Sequence, residues 1–161
     1  MTLDEYNRAV DEWADRIYRF VVKSMHDEDG ARDVVQDSYE KMWRHRENID
    51  GTKVKTYLFT TAYHTMIDHL RKNKREVVGD PSEHVTRHER NGFSDLQEVL
   101  HEAVSRLPEK QRSVVLLRDY EGYSYREIAE ISDLTEAQVK VYIYRARVFL
   151  KKYIGSIDVV V

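Results

Sequence analysis

The chain contains no cysteine, which excludes a disulfide framework, a thiol nucleophile, a cysteine-ligated metal and direct thiol redox sensing. Proline and glycine are scarce, at 2 and 6 of 161 residues. Sandwiches and barrels need turn residues at short intervals, so this shortage favours long helices. No apolar run approaches the roughly 20 residues that a membrane-spanning helix requires. The opening MTLDEYNRAVDEWADR is charged throughout, unlike a secretory leader. A cytoplasmic protein without membrane insertion is therefore expected. HExxH, Walker and GxSxG patterns are also missing, and no other grouping suggests an active site. We expect no enzymatic activity, no cofactor and no functional metal. The nearest approach to a metal pair is His84-x-x-x-His88 beside Glu83 and Glu89, in a polar stretch. His64 and His69 are badly spaced for sharing one helical face.

A dominant charge is missing too, since the net value is -3. Its distribution is uneven. Residues 1–50 carry 8 basic and 13 acidic side chains (-5), and residues 51–75 carry 6 and 1 (+5). Residues 76–111 carry 4 and 8 (-4), and residues 112–161 carry 8 and 7 (+1). An acidic average thus leaves room for two surfaces of positive potential, provided folding clusters the basic residues.

Apolar periodicity predicts an all-α chain of two small helical domains joined by a linker. Leu3, Tyr6, Val10, Trp13, Ile17 and Phe20 recur at spacings of three and four, the stripe of a first helix reaching about Met25. After HDEDG, Asp29 can cap a second helix through Arg46 whose inward candidates are Val34, Val35, Tyr39, Met42 and Trp43. Core packing is the favoured reading for Trp43. NIDGTK reads as a turn, and Thr52 or Lys53 opens a third helix with apolar residues on more than one side, ending in RKNKR. Residues 76–92, with Gly79-Asp80-Pro81, read as a flexible linker between domains 1–75 and 93–161. Helical spacing resumes from Phe93 to Leu107, Pro108 punctuates it, and Val114 to Leu117 supply the apolar part of a short helix. The closing SIDVVV is short and β-prone.

The most informative stretch is SYREIAEISDLTEAQVKVYIYRARVFLKKY. Ser124 with Glu127 and Thr135 with Gln138 match capping boxes, and Asp133 between them suits a left-handed turn. Ile128, Ala129, Ile131 and Leu134 can pack on Val139, Ile143, Ala146 and Leu150. Two capped helices across a tight turn make a helix-turn-helix, compatible with DNA recognition or with plain protein packing.

Ser124-Tyr125-x-Glu127-Ile128-Ala129-Glu130-Ile131, Val139-Lys140 and Arg145-Ala146-Arg147 resemble the promoter-reading helix-turn-helix of bacterial RNA polymerase sigma factors of the extracytoplasmic-function type. Leu107-Pro108-Glu109-Lys110-Gln111-Arg112 is similar to the opening of that region. Ala31-Arg32-Asp33-Val34-Val35-Gln36-Asp37-Ser38-Tyr39 with Trp43 resembles the polymerase-binding helix. Tyr57-Leu58-Phe59, Ala62 and Ile67-Asp68-His69-Leu70-Arg71-Lys72 resemble the promoter-melting segment.

The resemblance implies a protein that binds core RNA polymerase, directs it to specific promoters and helps open the −10 region. It places Asp33, Gln36, Asp37 and Lys41 at the polymerase. It places Lys53, Lys55, Tyr57, His64, Arg71, Lys72, Lys74 and Arg75 at the −10 DNA, with residues 48–55 as the loop for an extruded base. Cations there suit phosphates, and an aromatic wall suits an unstacked base. Tyr57 and Phe59 are equally open to core packing. Tyr57, Tyr63 and His64 stand where the family often has Trp, Arg and Asn.

The resemblance also places Glu136, Gln138, Lys140, Val141, Tyr144, Arg145, Arg147 and Lys151 at the −35 DNA. Gln can read adenine, Lys guanine, and Val141 a thymine methyl, while Arg145, Arg147, Lys151 and Lys152 suit phosphate. Val141-Tyr142 replaces a frequent Ser-Arg pair. Core polymerase, promoter DNA and an anti-sigma factor are the implied partners. A stand-alone helix-turn-helix regulator and a helical protein-binding adaptor are the alternatives.

Overall fold

In a computed structural model of the protein, residues 1–76 and 95–156 are described, and all elements among them are helical. The expected linker, apart from Glu76, which is helical, and the tail beyond Ser156 lie outside the described residues, as do His84 and His88. The chain divides into two compact units, Met1–Val85 and Thr86–Val161.

The first unit is a bundle of α1 (Leu3–Met25), α2 (Glu28–Arg44) and α3 (Val54–Glu76), each packed on the other two. Its core joins Ile17, Phe20 and Val21 to Ala31, Val34 and Met42, and to Leu58, Phe59, Ala62 and Met66. Phe20 and Phe59 meet with ring centroids 5.5 Å apart. Thus Phe59 is core, whereas Tyr57 is only half-buried and reaches the Lys41 carbonyl at 3.5 Å.

The α1–α2 corner turns earlier than the sequence suggests. His26 ends α1 in the left-handed region, and Asp27, not Asp29, caps α2 by accepting from the Gly30 amide at 3.1 Å. A Cβ at position 30 would stand 2.5 Å from the Asp27 carboxylate, so glycine permits this tight cap. The expected α3 start is a 3-10 turn, Gly51–Lys53, held by Asp50 Oδ1 accepting from the Thr52 amide and hydroxyl at 3.0 and 2.9 Å. Those two hydrogen bonds hold the Asp50 carboxyl below its usual range.

The second unit comprises α4 (Asp95–Ser105), α5 (Glu109–Val115), α6 (Tyr125–Ser132) and α7 (Glu136–Gly155). Helix α7 packs against the other three, and Val139, Ile143 and Ala146 carry that contact from its buried side. They meet a core that includes Leu107, Val114, Leu117, Ile128 and Ile131. Full burial of each such side chain contributes about 1.5–3 kcal/mol. Arg112 donates to the carbonyls of Ser105 and Leu107 at 3.2 and 3.3 Å, which closes the end of α4 and gives this motif residue a structural duty. A π turn, Leu116–Tyr120, follows α5, and Gly122 at φ +73° redirects the chain into α6.

Both capping boxes form. The Glu127 and Gln138 amides donate to Ser124 Oγ and Thr135 Oγ1 at 3.1 Å, and the reciprocal carboxylate and amide contacts are made. Asp133 adopts φ 59° between them. The helix-turn-helix is therefore set by local hydrogen bonds and locked by Ile128 and Ile131 against the inner side of α7.

Candidate functional site

Helix α2 buries Gly30, Ala31, Val34, Ser38 and Met42, so its opposite side carries Asp33, Gln36, Glu40, Trp43 and Arg44 at helical spacing. Asp33 and Gln36 lie on that outward row. Asp37 and Lys41 sit nearer the seam with α3. Asp37 lies 3.4 Å from His69 Nε2, and Lys41 Nζ donates to Thr65 Oγ1 at 2.9 Å. These two side chains brace α2 against α3, and the structure separates them from the outward Asp33–Gln36 pair.

Trp43, expected in the core, is 37% exposed. It meets the Tyr6 ring edge-on at 5.0 Å and lies under the Arg46 guanidinium at 4.0 Å. With Leu3, Tyr6, Glu40 and Arg44 it lines an open cleft of about 410 Å³. The reason is rotational: Met42 takes the inward position, and the next residue is turned by about 100°. The signal available in the sequence was the seven-residue step from Gln36 to Trp43, which keeps both on one side.

Helix α3 buries Leu58, Phe59, Ala62, Tyr63 and Met66. Tyr57, His64 and Arg71, spaced by seven, therefore share its outer side. Lys72 and Lys74 are exposed further along the helix, on opposite flanks of that row. His64 is half-buried and packs edge-on against Tyr63 at 5.3 Å. Lys53 is exposed in the 3-10 turn before the helix. Lys55 is not brought to this row, because its ammonium lies 5.5 Å from the Trp13 ring centroid on the α1 side. The side chain of Arg75 lies outside the described residues.

On α7 the exposed residues include Glu136, Gln138, Lys140, Val141, Tyr144, Arg145, Arg147 and Lys151. They do not form one uniform face. Val141, Tyr144 and Arg145 point away from the core, whereas Gln138 closes its own capping box. Lys140 stays on the α6 flank, 3.8 Å from Glu136 and 5.8 Å from the Tyr125 ring centroid. Arg147 occupies the same flank two turns on and donates to Asp119 Oδ1 at 2.9 Å, which pushes the guanidinium pKa further up. Arg118 completes this edge at 4.6 Å from the Tyr125 ring centroid. Asp119 is the partner that sequence reasoning missed, since it lies 28 residues from Arg147.

Among the described residues, no three His, Cys, Asp or Glu side chains converge as a metal ion would require, and no helix is long and apolar enough to cross a membrane.

A family model for sigma-70 region 2 matches residues 9–76, and one for sigma-70 region 4 matches residues 97–150. The chain is 31% identical over 144 residues to the ECF RNA polymerase sigma factor SigL of Mycobacterium tuberculosis, covering 84% of this chain and 81% of the relative. The chain belongs to the extracytoplasmic-function sigma factors of the sigma-70 family.

The ECF sigma factor SigM of Bacillus subtilis is 29% identical over 157 residues, an alignment covering 94% of each chain. Among solved structures, the sigma factor RpoE of Bartonella quintana, in complex with the anti-sigma factor NepR, aligns with a TM-score of 0.82 at 26% identity. That alignment covers 96% of this chain and 99% of RpoE. In this sigma factor, region 2 is thus the α1–α3 bundle and region 4 is the unit built on α7. Membership makes the protein a promoter-directing subunit of RNA polymerase; α2 presents a polar row opposite its buried side, and α7 presents Val141, Tyr144 and Val148 between basic residues.

Proposed function

We propose that this sigma factor divides its work among three surfaces. The outer side of α2, centred on Asp33 and Gln36, docks on core polymerase. Leu3, Tyr6 and Trp43 add apolar area beside that polar row, a combination suited to a protein interface with a hydrophobic centre and charged rim. Asp37 and Lys41 support the surface from behind through His69 and Thr65.

The outer row of α3 holds the opened −10 strand. Tyr57 offers a stacking face, His64 an edge donor or acceptor, and Arg71 charge for phosphates, with Lys53, Lys72 and Lys74 at its borders. The ordered turn from Asp50 to Lys53 frames the site for an extruded base. The third surface, α7, enters the major groove at the −35 element. Nucleotidyl transfer belongs to the polymerase, so this chain supplies recognition and strand capture, acting in the cytoplasm. An anti-sigma protein is a fitting regulator, given the solved complex of RpoE with NepR.

The observation that carries this reading is the doubly capped helix-turn-helix whose second helix turns Val141, Tyr144 and Arg145 to solvent. The test is run-off transcription with purified core polymerase on a library of candidate promoters. Promoter-specific transcripts that require the added chain are expected. Specific duplex binding without any polymerase-dependent transcription would instead indicate a stand-alone regulator.

A further inference from the structure

The centre of the outer face of α7 is apolar. Val141, Tyr144 and Val148 are 44%, 70% and 37% exposed, and Ala137 stands in the same row. Spacings of three and four place this row opposite Val139, Ile143 and Ala146, the buried side of the helix. Such a row is unusual on a surface helix, whose outer side is normally polar. Its borders are cationic. Arg145 and Lys152 run along one edge, and Lys140 and Lys151 along the other. With Arg147, the helix carries five basic residues against one acid, Glu136, a local charge of +4.

An apolar strip between two cationic borders matches the major groove, where phosphates form both walls and base edges the floor. The one apolar group that bases present on that floor is the C5 methyl of thymine. A protein occupant would need acidic groups on both sides of an apolar ridge, whereas duplex DNA supplies that pattern along its whole length. We infer that this sigma factor reads thymine methyl groups in its −35 element, with Val141 and Tyr144 as the specificity-determining side chains. The inference rests on α7 occupying the major groove. It explains why apolar side chains face solvent in the middle of a basic helix: their partner is on the DNA.

The test begins with holoenzyme, assembled from core polymerase and the full chain, selecting duplexes randomised across the −35 region. Selected duplexes are then remade with deoxyuridine for thymidine, which deletes the methyl while preserving the base pair and its hydrogen-bonding edge. Thymine should be enriched at fixed positions, and affinity should fall about fourfold for each methyl read, the value of one buried methyl group. Val141→Ala with Tyr144→Ala alters exposed positions only, so folding is retained. This double variant should bind the thymine and uracil duplexes equally. Equal binding of the two by the unaltered protein overturns the inference while leaving α7 a groove-binding helix. Retained discrimination in the double variant overturns the assignment to these side chains. A complete absence of −35 selection overturns the groove placement itself.

Discussion

The Asp119–Arg147 pair sets up a competition between an internal carboxylate and DNA phosphate for one guanidinium. The separation is 2.9 Å, and the two side chains retain about half their exposure, 51% for Arg147 and 43% for Asp119. An exposed pair of this kind contributes about 0.2–1 kcal/mol. Transfer of Arg147 to a phosphate forfeits that amount before any gain from DNA. Asp119→Asn keeps the size of the side chain and removes its charge, so the forfeited term disappears. Promoter affinity of the holoenzyme should then rise by up to about fivefold. The gain should shrink as salt increases, because screening shortens to about 8 Å at physiological ionic strength. The unit that carries the pair should also melt lower by at most about 4–8 °C, the thermal equivalent of 1 kcal/mol in a unit as small as Thr86–Val161. The decisive control is the same substitution in an Arg147→Ala background, measured by equilibrium binding to one promoter at several salt concentrations. There the gain should vanish, and the salt slope should be lower by about one phosphate neutralised. An equal gain in both backgrounds refutes the competition, since it would reflect general charge removal near DNA. No gain in either background shows that Arg147 keeps Asp119 when DNA is bound.

Asp33→Ala with Gln36→Ala should weaken binding to core polymerase by no more than about fivefold for the Asp33 charge removed, because solvent already screens an exposed rim; a core titration with an unchanged helical circular-dichroism spectrum checks this. Lys140→Ala should weaken binding about evenly across a promoter library and lower the salt slope by about one phosphate, as its place on the cationic border of α7 implies. A loss confined to one or two −35 positions would instead assign Lys140 to a base edge. Thr135→Ala removes the acceptor of the Gln138 amide and should cost about 1 kcal/mol of stability, visible as a lower melting temperature with the promoter preference preserved.

The helix-turn-helix was legible in the sequence because its determinants are local. Ser124 and Glu127, and Thr135 and Gln138, satisfy each other across three residues, and Asp133 needs only its own backbone preference. No distant partner has to be found for either box to close. The α1–α2 corner shows where local signals become ambiguous. HDEDG offers both Asp27 and Asp29 as caps, and the choice fell to Asp27 because His26 ends α1 in the left-handed region.

Sequence by itself therefore determined the all-α class, the two apolar patterns and the doubly capped turn, all governed by spacings of three or four residues. The tertiary structure decided which polar side chains remain available to a partner. Asp37 and Lys41 share α2 with Asp33 and Gln36, yet partners 32 and 24 residues away draw them to the seam with α3. Lys55 belongs to the basic segment but lies over Trp13, and Arg147 belongs to the basic helix but is paired with Asp119. Trp43 looked like core by type and proved to be surface by rotation about α2. Periodicity places a residue on a side of its helix, but only the packing of one helix on another settles whether that side is covered, braced or open.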